Sequence, residues 1–195
     1  KHIIEKDEVK LPAVVFAWHT PALYEAGDAE MDILATVLTD GKTSRLYKPL
    51  VYEQKVATSV VSYQVSMAMD GFFVIQAIAA PGKTVEELHD ALEKALTDAL
   101  ATPPTKAEMA RSVNGWKKSF YGRVESVLSR AQLLSTYFHL KETPDYLGAD
   151  LARYTGLTAQ QIHDAANQWL KAKRVRIDVL PVPPKSKEAA KEGAK

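Results

Sequence analysis

Apolar and polar positions change their period several times along the chain. Leu11 to His19 is rich in Val, Phe and Trp and is stopped by Thr20-Pro21, which predicts a strand. Asp28 to Leu38 places Met31, Leu34, Ala35 and Leu38 at helical spacing, and Asp40-Gly41 ends the pattern. A short second helix is predicted from about Thr43 to Gln54, with Pro49 marking a kink or a boundary. From Val56 to Met69 the period falls to two. Val56, Thr58, Val60 and Ser62 oppose Ala57, Ser59, Val61 and Tyr63, with β-branched residues enriched. Asp70-Gly71 is a hairpin signal, Phe72 to Ala80 is the returning strand, and Pro81-Gly82 closes it. Two long strands joined this tightly run antiparallel.

The second half of the chain is helical in pattern. Thr84-Val85-Glu86-Glu87 is a capping box. It opens a helix with Val85, Leu88, Leu92, Leu96 and Leu100 on one face, stopped by Thr102-Pro103-Pro104. Thr105 to Glu108 is a second box. Its helix is expected to bend at Asn114-Gly115, with periodicity resuming from Val124 to Leu140. Thr143-Pro144-Asp145 predicts an N-cap with Pro at the first helical position, and that helix ends near Thr155-Gly156. Thr158 to Gln161 is a third box, opening a helix through Leu170, and Val175 to Leu180 alternates as a final strand.

The order β-α-α-β-β-α-α-α-α-β predicts an α+β domain: a mostly antiparallel four-stranded sheet with helices packed on one face. Residues 1–10 are expected to form an N-terminal extension, 11–181 the domain, and 182–195 a flexible Lys-rich tail with little to bury. No internal repeat is visible.

Composition narrows the function classes. The 195 residues are 46% hydrophobic and 25% charged, enough for a real core. Lys and Arg number 25 against 24 Asp and Glu, so the net charge of +1 gives no global electrostatic argument for nucleic acid or an anionic membrane. The absence of cysteine excludes a thiolate nucleophile, a disulfide framework and a Cys-ligated zinc site. The longest apolar run, Phe72 to Pro81, is interrupted by Gln76 and falls well short of the roughly 20 residues of a spanning helix. The chain starts with Lys1 and carries no signal-peptide pattern, so a fragment of a longer protein is expected, from either the periplasm or the cytoplasm of a bacterium.

No complete active site emerges from single residues. Asp40-Gly41-Lys42-Thr43 is similar to the end of a phosphate-binding loop, but Thr36 stands where that motif needs Gly, so a helix-ending turn is expected. The histidines 2, 19, 89, 139 and 163 form neither H-x-x-E-H nor H-E-x-x-H. His89 and Glu93 share a helix face with no third ligand in view, which reads as a solvated polar face. Trp18-His19 is read as a packed aromatic pair. No G-x-S-x-G elbow is present. Trp116, Lys117, Lys118, Phe120, Tyr121 and Arg123 mix basic and aromatic residues as single-strand binders do, and also as an amphipathic helix surface does.

The ordering of several segments adds more. Asp40-Gly41-Lys42-Thr43-Ser44-Arg45-Leu46-Tyr47 resembles the GG-x-SSRLY segment of the pitrilysin/insulinase family of zinc metallopeptidases, which includes mitochondrial processing peptidase. Asp70-Gly71-Phe72-Phe73 resembles the family's G-x-F hairpin return, and Pro81-Gly82-Lys83 its turn before a long helix. Thr105-Lys106-Ala107-Glu108-Met109 resembles T-x-x-E-L, and Leu157 to Ile162 the cap of the last helix. The match spans about residues 11 to 181.

The resemblance implies an α+β unit used twice in tandem. The N-terminal copy carries H-x-x-E-H and a further Glu. The C-terminal copy supplies an Arg and a Tyr, seven residues apart, that position the substrate carbonyl. This chain resembles the C-terminal copy. Zinc is then expected in the full-length protein or its N-terminal half, with none held by this chain, and extended peptides are the substrate class. The expected partners are the zinc-bearing N-terminal half and a homologous partner subunit, with neither nucleic acid nor membrane. The family segment L-R-E-x-x-x-L-A-Y-S-V falls on Leu50 to Val60, placing Arg on Val51 and Tyr on Thr58. Val donates no hydrogen bond and Thr has a shorter reach than a phenol, so this chain alone is expected to be inactive, with Val51 and Thr58 as substrate-chamber positions and no catalytic residue. Tyr52 or Arg45 could stand in only through a register shift. An inactive homologue serving as a scaffold or protein-interaction module is the alternative, and binding of single-stranded nucleic acid by the Trp116 to Arg123 helix and the Lys-rich tail is a third.

Overall fold

The computed structural model describes residues 1–182. Its elements in chain order are β1 (His2–Asp7), β2 (Ala13–Thr20), α1 (Asp28–Thr39), a π-helical turn (Lys48–Glu53), β3 (Ala57–Ser66), β4 (Gly71–Ala79), α2 (Val85–Leu100), α3 (Lys106–Glu125), α4 (Val127–Lys141), α5 (Leu147–Thr155), α6 (Ala159–Trp169) and β5 (Val175–Pro181). The strands form one sheet in the order β1-β5-β2-β4-β3. β2, β3, β4 and β5 pair antiparallel, whereas β1 runs parallel to β5.

The sheet is therefore five-stranded and mixed, where four mostly antiparallel strands were expected. The extra strand lies in the segment read as an extension. HIIEKD is short and half charged, and its partner lies some 170 positions away, so nothing local marks it. It sits at the sheet edge, where charged residues are tolerated because one side of the backbone faces water. Asp70-Gly71 turns β3 into β4 as expected, and a bulge interrupts the pairing between Ala57 and Ser59.

Alternation decides which face of the sheet is buried. Val14, Phe16 and Trp18 of β2 and Phe73, Ile75 and Ala77 of β4 point to one side and are buried. Phe16 and Trp18 meet edge to face with centroids 5.9 Å apart. Against them pack Met31, Leu34 and Leu38 of α1, Leu88, Leu92 and Leu96 of α2 and Ile162 of α6. His19 takes the other face of β2, exposed, and its Nδ1 lies 3.0 Å from Asp70. Trp18 and His19 are not a packed pair, because neighbours on a strand point to opposite faces.

The three capping boxes form as read. The hydroxyls of Thr84, Thr105 and Thr158 accept from the backbone N–H of Glu87, Glu108 and Gln161, and each cap N–H donates back to that residue's side chain. Elsewhere the boundaries differ. Asn114 and Gly115 lie inside an unbroken α3, and the break falls at Ser126, whose hydroxyl caps α4. Glycine inside a helix lowers its stability without removing any hydrogen bond, so α3 runs through it. α5 begins at Leu147 rather than Pro144, and Thr143 closes a local turn by accepting from the Asp145 N–H. The expected helix over residues 43 to 54 is a turn followed by six π-helical residues with Pro49 in the first positions. Asp40 to Thr43 is the helix-ending turn, with Gly41 at φ 81°. The Lys-rich segment 183–195 lies outside the described residues.

Candidate functional site

Two features stand apart from the core. The first is the face of the sheet opposite the helices. Register places Val15 and Ala17 of β2, Val74 and Gln76 of β4, and Val61 and Tyr63 of β3 together there. Val61, Tyr63 and Phe72 remain 47%, 42% and 36% exposed. An apolar sheet face left partly open is a candidate docking surface. At its far end the segment from Asp7 to Leu11 and the side chains of Thr58, Gln76, Ile78 and Val179 frame a groove of about 520 Å³.

Thr58 lines this groove, with its hydroxyl donating to the Ile78 carbonyl at 3.3 Å. Val51 does not line it. It sits in the π-helical turn, partly buried against the core. Tyr52, beside it, is exposed and tilts onto Tyr47. Arg45 is fully committed elsewhere. Its guanidinium grips both carboxylate oxygens of Glu108 at 2.8 Å and donates to the carbonyls of Ala99, Thr102 and Pro103. This clamp fixes the α2–α3 connection and holds the Glu108 carboxyl down at about 2.

The second feature escaped the sequence reading. Asp28, at the start of α1, is fully buried. It accepts from the Ser66 hydroxyl, from the Tyr24 N–H at 2.9 Å and from Arg153. Arg153 of α5 also reaches Asp150 at 2.9 Å, and Asp150 accepts from the Tyr137 phenol at 2.7 Å. One turn along α1, Asp32 accepts from the Tyr154 phenol at 2.6 Å. A buried charge is tolerable only when paired and hydrogen-bonded, and this network pairs two carboxylates with one guanidinium.

The network opens into a cavity of about 440 Å³ between α1, the end of β3, the α3–α4 hairpin and α5. Burial raises the Asp32 carboxyl to about 6, with Asp28 adding to the rise and the Tyr154 hydrogen bond opposing it. Burial, then the nearby Asp150, lifts the Tyr24 phenol to about 12. Burial and their carboxylate partners push Tyr137 and Tyr154 higher still, so both remain donors at any ordinary pH. The sequence signal for this site was Asp28 and Asp32, four residues apart on the helix that carries Met31, Leu34 and Leu38. It acquires meaning only through Arg153, 125 positions away from Asp28.

The remaining candidates resolve simply. Trp116 and Phe120 turn inward, Trp116 stacking on Tyr154, while Tyr121 faces out and Arg123, though exposed, lines the cavity. His89 pairs with Asp90 and Glu93, and Glu93 also meets Arg174. Among the described residues no group of three or more His, Asp or Glu is placed to hold a metal ion, and no helix is long and apolar enough to cross a membrane.

Comparison with known proteins gives these sites a context. Residues 1–115 match the family described as Peptidase M16 inactive domain. The zinc protease PqqE of Helicobacter pylori is 25% identical over 135 residues, 69% of this chain and 30% of that protein. A protease structure from Helicobacter pylori superposes with a TM-score of 0.81 at 21% identity, covering 92% of this chain and 44% of that one. An inactive peptidase domain from Bordetella parapertussis superposes with a TM-score of 0.80 at 20% identity, covering 93% of this chain and 98% of that one. The chain thus spans less than half of PqqE and of the Helicobacter pylori protease, and nearly all of the Bordetella domain.

Proposed function

The chain belongs to the peptidase M16 family as its inactive domain, and from that premise we propose that it is the C-terminal, non-zinc-binding part of a zinc metallopeptidase. Its role is to wall the chamber in which a zinc-bearing half cleaves extended peptides, and to dock on that half. The open sheet face carries this reading. A strand-rich, apolar, one-sided surface suits the alternating side chains of an extended peptide, and among the described residues no other layer buries it.

Within that role Val51 and Thr58 stand where the family segment would place an Arg and a Tyr, and of the two Thr58 alone lines the groove. Valine donates nothing, and Thr58 spends its hydroxyl on Ile78. Stabilising the developing oxyanion then falls to the zinc-bearing half or to a homologous partner subunit.

The test is metal analysis and a peptidase assay on the isolated chain and on the full-length product of its gene. The full-length protein should hold about one zinc per chain and the isolated chain none. Chelator-sensitive proteolysis by the isolated chain overturns the proposal. Zinc in neither assigns the protein to scaffolding instead.

A further inference from the structure

The cavity beneath the α3–α4 hairpin lies on the helix side of the sheet, away from the groove, and stands apart from the chamber reading. Its buried walls are chemically complete in most respects. Asp28 and Asp150 each have their partners, and Gln64 and Ser66 are bonded within the network. Two lining groups, the partly buried Asp32 and the exposed Arg123, are not matched in this way. Asp32 uses one carboxylate oxygen on Tyr154, and its other oxygen has no partner among the described residues. Arg123 also lines the cavity, and among the described residues it makes no ion pair or hydrogen bond, only a cation–π contact with Phe120 at 5.8 Å. Its charge acts on Asp32, Tyr24 and Tyr137 through space.

A carboxylate and a guanidinium thus share one cavity without meeting each other. A simple amine would leave Arg123 unmatched, and a simple acid would face Asp32. A molecule carrying one ammonium and one carboxylate matches both. Trp116, Leu23 and Leu133 line the same cavity and offer an apolar surface suited to a hydrocarbon side chain. About 440 Å³ accommodates one such molecule with water and no long chain. We propose that this cavity binds a free α-amino acid with an apolar side chain, its ammonium on Asp32, its carboxylate on Arg123 and its side chain against Trp116 and Leu133.

Protonation gives the site a pH dependence. Asp32 is held near 6 by burial and by Asp28 on the same helix, against the pull of Tyr154 and Arg153 of α5 and Arg123 of α3. α4 and β3 present the uncharged Ser129, Gln132, Leu133, Thr136, Gln64 and Ser66 to the cavity. The carboxylate that receives the ammonium is therefore lost below about pH 6.

The experiment is a calorimetric titration of the 195-residue chain with leucine, N-acetyl-leucine and leucinamide, checked by NMR. Leucine should bind saturably at pH 7.5. Each capped form should bind at least about tenfold more weakly, because each removes one charge. Asp32→Asn and Arg123→Gln should weaken leucine by a similar factor, and affinity should fall below about pH 6. No saturable binding of leucine or phenylalanine at millimolar concentration overturns the proposal, as do capped forms that bind equally well. The capped ligands on the unaltered chain decide the matter if a variant does not fold.

Discussion

The Tyr154 phenol donates to the Asp32 carboxylate at 2.6 Å and so joins α5 to α1. Removing that donor leaves a partly buried carboxylate less compensated. Tyr154→Phe should therefore raise the Asp32 carboxyl further above about 6, read by NMR titration of the carboxyl carbon. An unchanged titration would show that the hydrogen bond does not act on Asp32.

Asp32 also makes stability depend on pH, with a definite sign. Its carboxyl rises from 3.8 to about 6 on folding, so between those values the folded chain holds a proton that the unfolded chain has released. Its contribution to stability is present at about pH 4 and is lost as pH climbs through about 6, by up to roughly 3 kcal/mol. Asp32→Asn should flatten the urea-unfolding profile over that range. Identical slopes in parent and variant would count against a titrating Asp32.

The Arg45–Glu108 clamp works in the opposite direction. Glu108 titrates at about 2 in the fold, so its contribution holds above pH 4.5 and is lost as pH falls toward 2. Arg45→Ala leaves the carboxylate and three carbonyls without their donor. The expected cost is about 2–3 kcal/mol, with Tm lowered by roughly 4–10 °C in calorimetry. Arg45→Lys should recover little, since an ammonium cannot grip both oxygens and reach the carbonyls.

Two glycines should respond oppositely to alanine. A Cβ at Gly71 would run into the Pro21 carbonyl oxygen, so Gly71→Ala should cost about 2 kcal/mol or more. A Cβ at Gly115 meets nothing within 4 Å, so Gly115→Ala should stabilise α3 by about 0.5–1 kcal/mol. Chemical denaturation of the two variants tests both signs.

The open sheet face should separate folding from docking. Val61→Lys and Tyr63→Lys alter residues that are 47% and 42% exposed, so the isolated chain should keep its Tm. Binding to the zinc-bearing half, or peptide turnover by the assembled protein, should fall. Unchanged turnover would remove this face from the chamber.

What could be read from the sequence was local. The capping boxes at Thr84, Thr105 and Thr158 and the Asp70-Gly71 hairpin are satisfied within four residues, so composition carries them. The family could be read from the order of such segments, and the match over residues 1–115 agrees. β1 could not, because a charged edge strand is defined by its distant partner. The break at Ser126 was hidden behind the louder Asn114-Gly115. The Asp28–Arg153–Asp150 network was out of reach for the same reason as β1: its members meet only after α5 has packed on α1. Val51 and Thr58, seven residues apart in the family segment, part company because Val51 sits in the π-helical turn while Thr58 sits at the bulge of β3, in the sheet itself.

The parallel pairing of β1 with β5 has a mechanical meaning. The Lys1 carbonyl accepts from Arg176 at one end of the pair, and Val182 donates to Asp7 at the other. Tension applied to the leading end of β1 and the trailing end of β5 therefore acts along the strands. The whole ladder is loaded in shear and must give way at once, where a hairpin pulled from its open end would unzip one rung at a time. A domain so fastened can bear pulling from the chain on either side while its interior stays folded.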